Sequence, residues 1–313
     1  MNQMNQTEVW EFVLLGFSEH PTLEPVLFAI FLFIYFFILL GNIGIIILAA
    51  TDPHLQTPMY FFLQNLAFLN LCYTTAVVPK MLANMILTKK IITYYMCMAQ
   101  TYISLFMGAE ECILLAVMAF DRFLAVCHPL RYTIIMNSQT CITISAASWI
   151  VSFLVSVVPL YLSLPPLCAP YVINHVFCEA PVLLHMICTD TSLNELLMLV
   201  GSLGTLTLPL ILILISYGYI IGAIMRIHNS SGRWKTFSTC SSHLTVVIIY
   251  YGTGMFMYMK PKSSYSAEHD KLISTFYSVI NPLLNPIIYS FRNKEVKESL
   301  KRAFGINTLD KSY

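Results

Sequence analysis

An aspartate followed directly by an arginine ends a long apolar segment, in the ten residues MAFDRFLAVC at 118–127. A charge pair at the boundary between membrane and water is costly, and such a pair usually has a function. Neighbouring side chains on a helix point about 100° apart, so Arg122 can leave Asp121 for another partner. The pair therefore predicts a switch. The alternative is an anchor, in which the arginine side chain simply reaches the water.

Two adjacent carboxyl groups, Glu110 and Glu111, lie deeper in the same segment. Glu111 precedes Asp121 by ten residues, which places it roughly 15 Å away along a helix, near the middle of a membrane. A carboxyl group there must find a polar partner or take up a proton. Glu110 points about 100° away from Glu111, toward a neighbouring helix or the lipid. Two carboxyl groups can share acid and base catalysis, but no nucleophile or metal-ligand set accompanies them, and we expect no enzyme.

Cys240 and His243 have a spacing that metal ligands also use, because residues three apart share one face of a helix. No second ligand pair is evident in the sequence. We therefore expect a polar surface on this face, and neither a metal ion nor another cofactor.

The elements that carry these residues are expected to lie in a membrane. Hydrophobic residues make up 57% of the 313 residues and charged residues 11%, and the mean hydropathy is +0.71. A soluble protein of this length needs more charge on its surface, so the composition predicts an integral membrane protein. The net charge is +1 and no phosphate-binding loop or basic tract occurs, which argues against nucleic acid as a partner.

Seven apolar segments are long enough to cross a membrane as helices, which predicts an all-α, seven-helix bundle. They cover residues 26–50, 58–87, 94–127, 140–162, 194–226, 237–259 and 272–289. The chain then divides into a tail at 1–25, the bundle at 26–290 and a second tail at 291–313. In this last part, residues 293–304 place apolar side chains on one face and lysines and arginine on the other. That pattern predicts a short amphipathic helix lying on membrane lipid.

The distribution of basic residues predicts the orientation. Eleven lysines and arginines lie on the side of the carboxy terminus and six on the other side, so the amino terminus is expected outside. Asn5 begins a glycosylation acceptor on that side, although Asn229 also begins one on the inner side. Two disulfides are expected among the four outer cysteines, and three pairings are open. These are Cys97, Cys168, Cys178 and Cys188.

Several motifs occur in order along the seven segments. They are Gly41-Asn42, TPMYFFLQNLAFLN at 57–70, MAFDRFLAVCHPLRY at 118–132, Ser216-Tyr217, KTFSTCSSH at 235–243 and NPLLNPIIYSFRN at 281–293. Together they resemble the olfactory receptors of the tetrapod-type (class II) branch, within the rhodopsin-like G-protein-coupled receptors. The sixth segment has Tyr250-Tyr251-Gly252 and no proline, where most rhodopsin-like receptors have Trp-x-Pro, and this difference favours the olfactory branch.

The resemblance implies that a small volatile odorant binds between the helices. On the third segment one face recurs at helical spacing: Ser104, Leu105, Gly108, Ala109 and Cys112. The family pattern adds three groups to it: Gly201, Ser202 and Thr205; Tyr251, Met255 and Tyr258; Thr275 and Ser278. Ordinary helix packing is the alternative for each position. None of these residues could pair with an amine, so we expect an apolar ligand with one hydroxyl, carbonyl or ether group.

The resemblance also implies the signalling output. A heterotrimeric stimulatory G protein would bind the cytoplasmic end and raise cyclic AMP, in the plasma membrane of the cilia of olfactory neurons. The residues expected to switch and couple are Asp121, Arg122, Tyr217, Lys235, His243, Asn285, Pro286 and Tyr289. The family pairing of cysteines would join Cys97 to Cys178 and Cys168 to Cys188.

Four positions depart from the family pattern. Phe120 and Phe123 replace tyrosines and Gln56 replaces a histidine. Asn70 replaces an aspartate that would help Glu111 to hold a sodium ion, so the pair is only a weak sodium candidate. Two alternatives remain: a receptor of the same fold for another ligand class, and a transporter or channel. The odd number of segments and the lack of an internal repeat argue against the transporter.

Overall fold

The computed structural model describes residues 11–163, 171–184, 186–187, 192–226, 230–258, 267–292 and 294–303. The first four spans are the helices α1 (Glu24–Thr51), α2 (Pro58–Ile86), α3 (Tyr94–Cys127) and α5 (Ser138–Ser163). The fifth span is α7 (Ser192–Ser202), the π-helical turn Leu203–Thr207 and α8 (Leu208–Met225). The sixth is α9 (Ser230–Tyr258). The seventh is α10 (Ala267–Thr275), the π-helical turn Phe276–Ile280 and α11 (Asn281–Arg292).

Five of the described helices are long and apolar enough to cross a membrane, and they belong to the first five spans. The sixth span begins at Ser230, where the sequence predicted residue 237. Its first residues are polar, and a helix can continue into water because its backbone hydrogen bonds are internal. The sixth span is therefore longer than its apolar segment.

The third span lies at the centre of the bundle. In its most apolar stretch 61% of the residues are buried, against 17% in the first span, which faces the lipid side. Thr93 caps the start of this helix, because its hydroxyl accepts a hydrogen bond from the Met96 amide at 3.3 Å. Because most of this stretch is buried, side chains on more than one face of the helix meet protein. Glu110, Glu111 and Asp121 are each buried on it.

The Gly41-Asn42 motif joins the first, second and seventh spans. A side chain at Gly41 would place its Cβ 2.9 Å from Cγ of Pro286, so only glycine permits this approach of the seventh span. Asn42 donates hydrogen bonds to the carbonyls of Ile38 (2.8 Å) and Pro282 (3.2 Å). Its own carbonyl oxygen accepts one from Asn70 at 3.2 Å. One buried amide thus holds three helices in register.

A three-stranded sheet covers one end of the bundle, and we name the two ends extracellular and cytoplasmic after the orientation that the basic residues predict. The central strand β1 (Glu11–Leu14) pairs antiparallel with β2 (Ile91–Thr93) and parallel with β3 (Val172–Ile173). Its alternate residues Phe12 and Leu14 are fully buried. Residues 11–14 of the predicted amino-terminal tail thus form a strand. A strand of four residues is too short to stand out in a polar segment.

Two short helices lie on the cytoplasmic side, α4 (Pro129–Ile135) and α12 (Lys294–Ala303), and one more, α6 (Ala180–Leu184), on the other side. The amphipathic helix predicted at 293–304 is confirmed as α12. Arg302 binds the Asp52 carboxylate at 2.6 Å, and the hydroxyl of Tyr60 donates to Glu295 at 2.9 Å. These contacts hold α12 against the first turn of the second span and the loop before it.

Candidate functional site

A cavity lies between the third, fourth, fifth and sixth spans, toward the extracellular side. It contains about 1290 Å³ of empty space, part of which is open to the outside. Its wall is mostly apolar, and no lysine or arginine of the described residues lines it. Such a site suits a small, uncharged molecule.

Eight of the predicted binding residues line this cavity. They are Ser104, Leu105, Gly108, Ala109 and Cys112 of the third span and Gly201, Ser202 and Thr205 of the fifth. The two glycines and the alanine leave room because they have little or no side chain. The periodicity of the third span thus identified the face that borders the empty space.

The sixth span presents a different face from the one expected. Tyr250, Thr253 and Gly254 line the cavity, whereas Tyr251 and Met255 do not. A shift of one position turns a helical side chain by about 100°, which moves it off the wall. The Tyr251 hydroxyl instead donates to the carbonyl of Cys112 at 2.9 Å. The side chain of Tyr258 lies outside the described residues.

The seventh span corrects the expectation in the same way. Tyr277 and Pro282 line the cavity, and the predicted Thr275 and Ser278 do not. The Thr275 hydroxyl donates to the Lys271 carbonyl at 2.7 Å, and the Ser278 hydroxyl to the Thr275 carbonyl at 3.3 Å. Both hydroxyls therefore bond within their own helix, and neither residue lines the cavity.

Ser104 provides a free polar group in the apolar wall. Its side chain is 5% exposed, and its hydroxyl has no hydrogen-bond partner among the described residues. By contrast, the Thr205 hydroxyl donates to the Gly201 carbonyl at 2.9 Å, and the Tyr250 hydroxyl donates to the Gly108 carbonyl at 2.7 Å. A buried hydroxyl without a hydrogen-bond partner destabilises the empty site, and a ligand that bonds to it removes this cost.

The loop above the cavity is fixed to the third and seventh spans. A disulfide joins Cys97 to Cys178, and the Cys178 amide donates to the side chain of Gln100 at 3.1 Å. The second expected pair, Cys168 with Cys188, lies outside the described residues, as does Asn5. The loop therefore stays close to the mouth of the cavity.

Glu179 is the residue of this loop that sequence reasoning missed. It is 1% exposed, and its carboxylate accepts hydrogen bonds from Ser274 (2.8 Å) and Tyr277 (2.7 Å). Nε2 of His175 lies 3.2 Å from the same carboxylate. The available signal was an acidic residue directly after a disulfide cysteine, with a histidine four residues before it. Glu179 thus connects the loop to Tyr277, which lines the cavity.

At the cytoplasmic end, Asp121 and Arg122 have separate partners. The Tyr132 hydroxyl of α4 donates to the Asp121 carboxylate at 2.8 Å, and the Arg122 guanidinium contacts the sulfur of Met59. No ion pair joins Asp121 to Arg122 in the part of the chain that the structure describes. The expectation that Arg122 starts from Asp121 is therefore corrected. The tyrosine hydroxyl bonds to the carboxylate of Asp121. The arginine contacts the second span instead, because neighbouring side chains diverge on a helix.

The fifth and sixth spans meet at Tyr217 and His243. The Tyr217 hydroxyl lies 2.8 Å from Nδ1 of His243 and donates to the Cys240 carbonyl at 3.1 Å. The two rings are stacked, with their centroids 5.8 Å apart. Cys240 thus contributes its backbone oxygen, and His243 contributes its ring to a tyrosine. The side chain of Lys235 lies outside the described residues.

The seventh span supplies Asn285, Pro286 and Tyr289 to the same half. The amide of Asn285 donates to Glu111 at 3.2 Å, and Pro286 packs on Gly41. Tyr289 is buried, and its hydroxyl has no hydrogen-bond partner among the residues described. Asn70 bonds Asn42, and no hydrogen bond joins Asn70 to Glu111 among the described residues, so the weak sodium candidate formed by these two residues stays a prediction. Glu111 instead pairs with the seventh span.

The whole chain is similar to proteins of one family. The family model for the olfactory receptor matches residues 31–306. Human olfactory receptor 2G3 is 49% identical over 95% of this chain and 97% of its own. Human olfactory receptor 2C3 is 50% identical over 93% of this chain and 91% of its own. The dog olfactory receptor-like protein OLF1 is 49% identical over 96% of both.

Proposed function

This chain belongs to the olfactory receptor family, and from that premise we propose that the cavity between the third, fourth, fifth and sixth spans is its odorant site. It is an odorant receptor and a multi-pass membrane protein, and it is not an enzyme. The observation that carries the proposal is the free hydroxyl of Ser104 in an apolar wall. A binding site of this kind recognises shape along most of its surface and one polar group at one point.

The odorant is a small, uncharged molecule with an apolar body. A hydroxyl, carbonyl or ether oxygen of the odorant accepts a hydrogen bond from Ser104. A charged odorant is disfavoured because no basic residue of the described wall would pair with an acid, and the acidic Glu111 is already bonded to Asn285. Met255, Thr275 and Ser278 have no direct contact in this proposal, and Tyr258 stays a predicted contact.

The sixth span transmits binding. Tyr250 lines the cavity, and both Tyr250 and Tyr251 donate to carbonyls of the third span, at Gly108 and Cys112. An odorant that contacts Tyr250 changes the balance of these bonds and so favours one arrangement of the sixth span relative to the third. This is a population shift between two existing arrangements, with the odorant binding one of them more tightly.

Arg122 and the Tyr217–His243 pair read out the shift. When the sixth span moves outward, the bond between Tyr217 and His243 opens and exposes Arg122 to a new partner. That partner is the carboxy-terminal helix of a stimulatory G-protein α subunit, which binds as a helix in a groove and raises cyclic AMP. Three exposed arginines, Arg131, Arg226 and Arg233, contact the surface of the G protein together with Lys235.

The receptor lies in the plasma membrane of olfactory cilia with its amino terminus outside. The excess of basic residues on the other side supports this orientation. Asn5 is then glycosylated, and Cys168 pairs with Cys188. The helix α12 lies along the inner leaflet, with Val296 packed against the bundle.

The test is a cyclic AMP screen of several hundred volatile compounds in cells that express the receptor at the surface. The screen is repeated with the Ser104→Ala variant. We expect oxygen-containing agonists to lose about tenfold in potency, since one hydrogen bond to a buried group is worth roughly 1 kcal/mol or more. Agonists without an oxygen should lose little. No response to any volatile, or equal losses for both classes, would contradict the proposal.

A further inference from the structure

Glu110 is buried in the third span but points away from the cavity. The side chain is 0% exposed, although its neighbours Ala109 and Glu111 both line the empty space. Its two carboxyl oxygens lie 2.7 Å from the hydroxyl of Ser148 and 2.6 Å from that of Ser152. Both serines belong to the fourth span. The carboxyl group therefore contacts the neighbouring helix and not the lipid.

Each serine hydroxyl bonds to a different oxygen of the carboxyl group. They are four residues apart, so they occupy one face of the fourth span about one turn apart. A planar carboxyl group that bonds to two points along a helix fixes both the height of that helix and its rotation. A single hydrogen bond would leave the rotation free.

The two bonds from Glu110 to Ser148 and Ser152 form a clamp between the third and fourth spans. This clamp lies next to the part of the fourth span that lines the cavity. One turn further on, the Ser156 hydroxyl donates to the Ser152 carbonyl at 2.5 Å, and Ser156 itself lines the empty space. Pro159 lines it too, and a proline cannot donate the hydrogen bond that would continue the helix. The wall therefore begins where the backbone of the fourth span is weakened, just beyond its attachment to Glu110.

A second attachment of the fourth span lies lower in the bundle. The Ser145 hydroxyl donates to Asn65 of the second span at 2.9 Å, and the Trp149 indole donates to the same oxygen at 3.4 Å. These bonds hold the helix without Glu110. The second span therefore supports the fourth span independently of the third span. The clamp at Glu110 is not needed to hold the fourth span in the bundle, and it can instead set the shape of the cavity.

We propose that Glu110 is a positioning residue that sets the distance between the third and fourth spans at the odorant cavity. Potency and preference for odorant length then depend on a carboxyl group that does not touch the odorant. The inference rests on the proposed odorant site. It concerns this one wall of the cavity, which carries Val155, Ser156, Pro159 and Leu160.

The experiment compares Glu110→Gln with Glu110→Ala. The amide can accept a hydrogen bond from one serine and donate one to the other, whereas the methyl group can do neither. Dose–response curves are measured at matched surface levels with a series of agonists that differ only in chain length. We expect Glu110→Gln to stay within about threefold of the parent, and Glu110→Ala to lose about tenfold in potency and to prefer longer agonists.

A second variant removes the other side of the clamp. The double change Ser148→Ala with Ser152→Ala should reproduce the loss of potency and the altered length preference. Adding Glu110→Ala to it should bring little further loss, because the same contacts have already gone. Additive losses would overturn the proposal. So would a failure of both Glu110→Ala and the double variant to reach the surface, because the clamp would then serve folding.

Gly201→Leu separates this inference from the odorant site itself. A Cβ at Gly201 meets no atom within 4 Å, so the leucine side chain extends into the cavity without displacing the backbone. If Gly201→Leu removes the responses while Glu110→Ala leaves potency and length preference unchanged, Glu110 has no positioning role and the site stands. If Gly201→Leu leaves all responses unchanged, the proposed site is wrong.

Discussion

The extracellular and cytoplasmic halves of this receptor place their polar groups differently. In the extracellular half, empty space borders Gly108 and Gly201, and the Ser104 hydroxyl has no described partner. In the cytoplasmic half, Tyr217 and His243 are 5% and 1% exposed and bond to each other. A ligand can therefore enter the first half with little change. A protein partner can enter the second only after existing bonds have broken.

The difference explains how one small molecule can act on a much larger one. In the proposed function, the odorant contributes binding free energy at a cavity that already exists. The bonds that close the cytoplasmic half must be weak enough for that energy to open them, since a ligand shifts an equilibrium only by its differential affinity. Two tyrosines, Tyr250 and Tyr251, connect the halves because they hold the sixth span to the third.

The largest effect is expected from Arg122→Ala, which should abolish odorant-stimulated cyclic AMP. The guanidinium contacts Met59 in this structure and has no ion-pair partner among the described residues, so it can bind a G protein once the sixth span has moved outward. The odorant should still bind, since the cavity lies in the other half. Lys89→Ala is the matched control, because it also removes one positive charge, from an exposed extracellular position.

Binding is measured by competition with a labelled agonist, and signalling by cyclic AMP at equal surface levels. Retained signalling in Arg122→Ala would falsify the switch role. Loss of binding together with signalling would show that the two halves are not separable in the way that their contacts indicate.

The next effect concerns the loop above the cavity. Glu179→Ala removes the acceptor for Ser274 and Tyr277, and Tyr277 lines the cavity. We expect a loss of about tenfold in agonist potency, because the hydroxyls of Ser274 and Tyr277 lose their bonds to the carboxylate. Dose–response curves at matched surface levels measure it. Glu11→Ala, which changes an exposed glutamate of β1, should leave the potency unchanged, and an equal loss in both variants would contradict a specific role for Glu179.

Much of the fold could be predicted from the sequence, for a physical reason. A membrane span needs a run of about 20 apolar residues, so the seven segments and their order are visible without a structure. The three strands at the extracellular side were not visible. They are two to four residues long, and they pair between parts of the chain that lie far apart in sequence. Such pairing depends on the folded bundle.

The candidate site was predicted best where one helix carries it. The face of the third span that begins at Ser104 repeats with helical periodicity, and all five of its residues line the cavity. On the sixth span the choice between Tyr250 and Tyr251 depends on how that helix is rotated against its neighbours, which the sequence does not record. The same holds for Glu110, for which the sequence left open whether it faces a neighbouring helix or the lipid. The structure supplies two serines of the fourth span.

A moderate effect is expected from Tyr251→Phe. The change removes one hydrogen bond between the sixth and third spans and keeps the ring. A bond of this kind is worth roughly 1 kcal/mol. The arrangement with the sixth span against the third should therefore lose about fivefold in population relative to the one with the sixth span moved outward. Basal cyclic AMP without odorant should rise accordingly. Tyr60→Phe is the control, since its hydroxyl bonds to α12 and not to the third span; an equal rise in both variants would argue against the role of Tyr251.

The smallest effect is expected on the outer surface, at Glu19. The side-chain amide of Asn174 donates to its carboxylate at 2.9 Å, and Lys271 lies 3.8 Å away. The hydrogen bond from Asn174, followed by the charge of Lys271, lowers the pKa of Glu19 below its usual value of 4.5. A carboxyl group with a lowered pKa stabilises the folded state above its unfolded pKa, and it loses this contribution as the pH falls through the folded pKa.

Glu19→Gln should therefore lower the melting temperature of the purified receptor by no more than about 2 °C at pH 7, because the side chain is 37% exposed and water screens its charge. The difference from the parent should be constant down to about pH 5 and should shrink below the usual pKa of 4.5. Thermal unfolding in detergent at pH 7, 5 and 4 measures it. A difference that grows as the pH falls would have the wrong sign for a lowered pKa. It would also remove the contrast between this exposed glutamate and the buried Glu179, whose contacts determine how the loop meets the cavity.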